Sequence, residues 1–217
     1  MSGVLAPESL FAATDDRPVS VADSQRARML DAVVRAVAFR GYADVTVTDV
    51  VGRAGVSRRT FYEHFRDKQE CFLAAYQTGL EILAGRIVGA TAETPDAVWR
   101  EKLRIGLEAY TRALSEHPRF ARTLLIDILG AGPEAVALRQ RLHELFMLRF
   151  RRLSEQAAAQ EPAVAPVPDV FLRALVGGIG ELVQEHILRE GAETLPELTP
   201  QLVRVAETVI EYGGMRA

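Results

Sequence analysis

Apolar residues in this 217-residue chain recur at helical spacing almost from end to end, with no strand-like alternation of any length. Leu30, Val33, Val34, Val37 and Ala38 share one face of a helix that Asp23 or Ser24 opens and Gly41 ends. Val47, Val50, Val51 and Ala54 follow at i, i+3, i+4 and i+7, and Phe61 and Phe65 lie four apart. From Lys68 a long helix carries Phe72, Leu73, Tyr76, Leu80, Leu83 and Ile87. Thr94-Pro95 reads as the N-cap and first-turn proline of the next helix, with Trp99, Leu103, Leu107, Tyr110 and Leu114 on one side. A short helix reaches Ile128, and Pro133 opens another to about Gln160 that is apolar nearly all round, as a helix surrounded by helices must be. Residues 161–168 are a proline-rich loop. Leu172, Leu175, Val176, Ile179, Leu182, Val183, His186 and Ile187 form the next stripe. Thr199-Pro200 starts the last helix, with Leu202, Val205, Ala206, Val209 and Ile210 on one face. There are no repeats or heptads, and the expected fold class is all-α.

The stretch from Thr46 to Glu70 carries the most chemistry. Thr46 is placed to N-cap a helix and Asp49, three residues on, to complete a capping box. Gly55 stops that helix by accepting a left-handed conformation, and Ser57 caps the next. Asp67 and Glu70 are spaced as a second capping box. Two short helices joined by a tight turn form a helix-turn-helix, whose second helix presents its first residues to base edges in the major groove. Here those residues are Arg58, Arg59 and Thr60, followed by the donors Tyr62 and His64. Guanidinium groups pair bidentately with guanine or neutralise phosphate. Lys68, in the first turn of the following helix, opposes the helix dipole unless an anion such as phosphate lies nearby.

The runs Thr46-Val47-Thr48-Asp49-Val50, Ala54-Gly55-Val56-Ser57, Thr60-Phe61-Tyr62-Glu63-His64-Phe65 and Asp67-Lys68 resemble the signature of TetR-type transcriptional regulators. The resemblance is close over residues 24–70 and extends beyond them only in length and helical character. Arg59 and Glu63 depart from the common pattern at exposed positions, which would alter the operator read. Thr46, Thr48 and Lys68 are then expected to hold phosphates, and Arg58, Arg59, Thr60, Tyr62 and His64 to meet the DNA directly. The resemblance further implies a small-molecule pocket among the central helices. Its candidate walls are Trp99, Tyr110, Phe146, Met147, Phe150 and Phe171, with His143 as a polar anchor, although each aromatic taken singly reads more readily as plain core. An apolar effector is expected, because charged anchors look scarce on these faces.

In the resembling family the last two helices pair with their copies in a four-helix bundle. That role would fall to Leu172, Leu175, Val176, Ile179, Leu182, Val183, Leu202, Val205 and Val209, which could otherwise complete the monomer core. A two-fold dimer presents two recognition helices to a pseudo-palindromic site on double-stranded DNA. The expected organisation is a flexible N-terminal arm over 1–22, a DNA-binding domain over 23–68, and an effector-binding and dimerisation domain over 69–217.

Charge agrees with the motif. Residues 24–68 hold nine Lys/Arg against five Asp/Glu, a net +4, in a chain of net charge −3 whose remainder is therefore −7. A basic head on an acidic body suits phosphate binding at one end. The single cysteine, Cys71, excludes an internal disulfide framework and reads as a small buried hydrophobe, with a redox role as the alternative. No secretory signal or membrane-length apolar run is evident, so the expectation is a cytoplasmic protein without membrane contact.

Three further motifs fail. His143-Glu144 opens like a zinc-protease motif, but Met147 stands where the second His is required. Gly178-Ile179-Gly180 lacks its third glycine and follows no strand. The histidines at 64, 117, 143 and 186 show no i, i+4 pairing. No metal, cofactor or catalytic residue is implied. The sequence therefore reads as a dimeric regulator, a repressor released by a small molecule. An architectural DNA binder without effector, or an enzyme containing an incidental helical hairpin, are the alternatives.

Overall fold

A computed structural model describes residues 21–214, which fold into nine α-helices with no strand among the described residues. α1 (Val21–Arg40), α2 (Val47–Ala54) and α3 (Arg58–His64) form the head. α4 (Lys68–Ala92) runs from the head into a body made of α5 (Trp99–Glu116), α6 (Pro118–Leu125), α7 (Pro133–Gln160), α8 (Asp169–Glu190) and α9 (Leu195–Tyr212). The expected N-terminal arm lies outside the described residues except for Val21 and Ala22, which already belong to α1.

The head closes on apolar side chains supplied at helical spacing. Val33 and Val37 of α1, Val50 of α2 and Phe61 of α3 are fully buried. Gly41 turns the chain after α1 at φ 79°, its N–H donating to the Val37 carbonyl at 2.7 Å. Phe65, 3 % exposed, lies 5.6 Å from the Phe61 ring and carries the Arg26 guanidinium over its face. α1 also packs against α4 and α6, so the head rests on the body through two helices as well as the chain itself.

In the body α5 lies centrally, against α4, α7 and α9. Its Trp99, Leu103 and Leu114 are fully buried or nearly so. The far end is fastened by Arg100, which stacks over Trp99 and pairs with Glu161 and Glu211, joining α5 to the ends of α7 and α9. The Trp99 indole N–H donates to Glu161 at 2.7 Å.

The starts of α5 and α9 and the capping of α4 differ from the sequence reading. Thr94 and Pro95 form a turn outside α5, and the Thr94 hydroxyl is buried without a partner among the described residues. The helix instead begins at Trp99, whose backbone N–H takes the Gln160 side chain at 3.0 Å as its acceptor, a tertiary cap with no local signature. α9 begins at Leu195, and Pro196 provides the early proline. Thr199 and Pro200 lie inside it, where the Thr199 hydroxyl meets that of Thr111 at 2.7 Å in the core. The second capping box is half present. Asp67 accepts from the Glu70 N–H at 2.8 Å, but Glu70 reaches past the cap to the Arg66 N–H at 2.6 Å and its Nε at 3.1 Å.

Candidate nucleic-acid interface and effector cavity

The hairpin owes its geometry to its caps. Thr46 accepts from the Asp49 N–H, while the Asp49 carboxylate accepts from both the N–H and the hydroxyl of Thr46, at 2.9 and 2.6 Å. These bonds, with Arg40 at 2.8 Å, hold the Asp49 carboxyl below the usual carboxylate range. Gly55 ends α2 at φ 63°, ψ 41°, its N–H returning to Val51. Ser57 then accepts from the Thr60 N–H at 3.0 Å and its hydroxyl meets that of Thr60 at 2.9 Å.

This frame exposes the start of α3. Arg58 and Arg59 face solvent, and Arg58 reaches back to the Thr48 hydroxyl at 3.5 Å, bringing the beginnings of α2 and α3 to one surface. Arg59 pairs with Glu63 at 3.1 Å, a contact between exposed side chains that is easily exchanged. Tyr62 is half exposed, its ring edge-on to Phe61, and His64 is partly covered at the end of α3. Two residues expected at phosphates have other work. The Thr46 hydroxyl proton is given to Asp49, so Thr46 is a cap. The Lys68 ammonium donates to the carbonyls of Tyr42 and Ala43 at 2.8 and 3.4 Å and sits 4.3 Å from the Tyr42 ring centre. It ties α4 to the α1–α2 turn, and one of its three N–H donors remains for a phosphate.

The body contains a cavity of about 510 Å³ bounded by α4, α5, α6, α7 and α8. Of the expected walls, Tyr110, His143, Phe146 and Phe150 line it. Trp99 and Met147 do not, being packed in the core at 0 and 5 % exposure, and Phe171 is half exposed on the outside of α8. The remaining lining is mainly Leu, Ile and Val, but Lys102, Arg149 and Arg152 also face the space. Burial, with Arg152 beside it, draws the Arg149 guanidinium below its ordinary value, and burial does the same to His143. Lys102 and Arg152 make no ion pair among the described residues. The expectation that charged anchors are scarce on these faces is therefore corrected. Its signal was in the sequence, since Arg149 and Arg152 lie four and seven residues after Leu145 and share its face.

The stripe assigned to a partner chain is mostly monomer core. Leu172, Val183 and Leu202 are fully buried, and Leu175, Val176 and Ile179 are 3 to 6 % exposed. Only Leu182, Val205 and Val209 reach the surface. The outward face of α8 instead carries Phe171, Ala174 and Gly178. A Cβ at Gly177 or Gly178 would meet nothing within 4 Å.

Burial pushes the Cys71 thiol up to about 12, and its Sγ faces the Met29 carbonyl, so the thiolate needed for redox chemistry is suppressed. Among the described residues no cluster of His, Cys, Asp and Glu is arranged for a metal ion, and no helix is long and apolar enough to cross a membrane.

A capped helix-turn-helix head is thus continuous with a helical body built around a cavity. Residues 29–75 match the family described as bacterial regulatory proteins, tetR family. Over this segment the chain is similar to TetR-type regulators. It is 33% identical over 115 residues to the HTH-type transcriptional activator FasR of Mycolicibacterium smegmatis, covering 53% of this chain and 52% of that one. The match thus spans about half of the relative's length. The HTH-type transcriptional repressor KstR of Rhodococcus jostii is 25% identical over 165 residues, covering 75% and 76%. Among solved structures, the fatty acid degradation regulator FadR from Bacillus halodurans shares the fold at TM-score 0.74 and 16% identity, over 94% of this chain and 100% of that one. FadR from Bacillus subtilis in complex with stearoyl-CoA does so at 0.72 and 16%, over 86% and 98%.

Proposed function

We propose that the protein is a dimeric, sequence-specific operator-binding regulator, a repressor that leaves DNA when a small amphiphile fills its cavity. The carrying observation is that one helix, α4, begins at the recognition hairpin and ends as a wall of the cavity. A ligand that favours one placement of α4 necessarily biases the placement of α3. In this reading residues 23–68 bind DNA and 69–217 bind effector and partner. Arg58, Arg59, Thr60, Tyr62 and His64 meet bases, Thr48 meets phosphate, and Lys68 fixes the head with one donor directed at the backbone. Dimer contact falls to the outward face of α8 with Val205 and Val209 of α9.

The lining supports an effector with an apolar chain and an anionic head group. Leucines and aromatics would take the chain, and Lys102 and Arg152 the charge. The stearoyl-CoA bound by the B. subtilis FadR has this chemistry. Activation is the second reading, because FasR carries that name.

The test is binding of the purified protein to its own upstream DNA against random competitor at physiological salt, with and without stearoyl-CoA. Tight, competitor-resistant binding by a dimer, lost on adding the amphiphile, is the expected result. Binding erased by random DNA would make it a non-specific binder, and binding indifferent to any amphiphile would remove the effector. Arg58→Ala should weaken operator affinity roughly tenfold or more without changing the melting temperature. Equal affinity would strike Arg58 from the contacts.

A further inference from the structure

Two tyrosines are buried in the body, and their hydroxyls are satisfied differently. Tyr76 of α4 is fully buried and donates to the Leu124 carbonyl at 3.5 Å. Tyr110 of α5 is 7 % exposed, and its hydroxyl makes no hydrogen bond among the described residues. The one sealed side-chain polar atom without a partner there is the Thr94 hydroxyl, so the Tyr110 oxygen is not sealed in. It opens onto the large cavity that its residue lines. The ring is braced edge-on against Phe146, centroids 5.7 Å apart at 76°. A phenylalanine would fill the same core volume without desolvating a hydroxyl, so the oxygen calls for a partner that enters the cavity.

His143 joins Tyr110 in the same region. It stands about one helical turn from Phe146 on α7, lines the cavity, and makes no hydrogen bond among the described residues. Burial and the neighbouring Arg139 draw its imidazole below the ordinary value, so at neutral pH one ring nitrogen donates and the other accepts. α5 and α7 run in opposite directions, because the Trp99 N–H meets Gln160 at one end and Tyr110 meets Phe146 further along. The cations Lys102 and Arg152 therefore stand toward the Trp99 end of the cavity, and Tyr110 and His143 toward the other. Tyr110 is eight positions after Lys102, and Arg152 nine after His143, which makes roughly 12 and 13 Å along the helices. Leucines of α5 and α7, with Arg149, line the interval. At about 1.2 Å per bond, an extended chain crosses it in roughly ten bonds.

We infer that Tyr110 and His143 form a second polar subsite, which recognises a hydroxyl or carbonyl oxygen carried roughly ten bonds from the anionic head of the effector. This deepens the effector reading given above and rests on it. The phenol donates to either kind of oxygen, and the imidazole donates to a carbonyl or accepts from a hydroxyl. A plain apolar chain leaves both groups unpaired, so the subsite tells apart chains of equal length by the oxygen they carry.

Titration calorimetry on the full chain compares three acids. They are decanoate, 10-hydroxydecanoate with its hydroxyl at the distal subsite, and 2-hydroxydecanoate with its hydroxyl beside the head. 10-Hydroxydecanoate should bind wild type roughly tenfold more tightly than either of the others. Tyr110→Phe removes one oxygen atom and keeps the ring against Phe146. It should abolish that preference by weakening 10-hydroxydecanoate alone. A preference that survives Tyr110→Phe, or wild type that binds decanoate or 2-hydroxydecanoate as tightly as 10-hydroxydecanoate, would overturn the subsite and leave the effector reading intact. Wild type that binds none of the three would also overturn the subsite, and the effector reading falls with it if stearoyl-CoA is not bound either.

Discussion

The hairpin and the α8–α9 pair are both built on apolar stripes at helical spacing, and they turn opposite kinds of surface outward. In the hairpin Val50, Val51, Ala54 and Phe61 go inside, and what remains is cationic and hydroxylic. In α8 the stripe from Leu172 to Val183 also goes inside, but Phe171, Ala174, Gly177 and Gly178 are left facing solvent. A stripe tells where a helix meets its own chain. The partner proposed for each face, nucleic acid in one case and a second copy in the other, must be sought on the opposite side, where composition rather than periodicity carries the information.

The comparison is broken most directly at its best-buried point. Phe61→Ala should cost about 3–5 kcal/mol, enough to melt the head, since the ring is fully buried between Phe65 and Tyr62. A loss under 1 kcal/mol in denaturant unfolding would mean that the hairpin is held by its caps alone. Gly79→Ala tests a different kind of closeness. Alanine is the better helix former by about 1 kcal/mol, yet its Cβ would stand 1.9 Å from the Phe120 ring. We expect a net loss of about 1–3 kcal/mol, as for overpacked cores. A gain would show that Phe120 steps aside freely.

Asp49→Asn probes the capping box, with a loss of stability expected at neutral pH. Because folding lowers the Asp49 pKa, its contribution is present above the ordinary carboxylate range and is lost as pH falls through the folded value. The variant should therefore differ from wild type at pH 7 and converge with it in acid. A constant difference would deny the carboxylate its part. Gly178→Glu should not harm folding and should gain roughly 0.5–1 kcal/mol, because the position is open and glycine is the poorer helix former. Sedimentation should nonetheless find monomers, and an intact dimer would move the proposed interface elsewhere.

The head was legible nearly residue by residue because its determinants are local. Thr46 with Asp49, Gly55 and Ser57 act within four positions of themselves, and each does in the fold what its spacing implies. The body was legible as helices but not as surfaces. The start of α5 depends on Gln160, which is sixty-one positions away, and Thr199 serves Thr111 across the core in place of capping its own helix. Lys68 shows the same limit inside the head. Its place in the first turn suggests an anion, and the fold offers it two carbonyls and a ring from the α1–α2 turn instead.

The contact between Gly79 and Phe120 gives α4 a fulcrum. The aromatic ring sits on the bare backbone of the helix, a close contact about which α4 would pivot if a ligand displaced it. At 1.5 Å per residue, Ile87 at the cavity lies roughly 12 Å beyond the pivot and Lys68 roughly 16 Å before it. As a lever, the helix would turn an outward push of about 1 Å at Ile87 into an opposite swing of about 1.4 Å where the hairpin is attached. In a two-fold assembly both arms would swing at once, so the gap between the two heads would change by up to twice that amount.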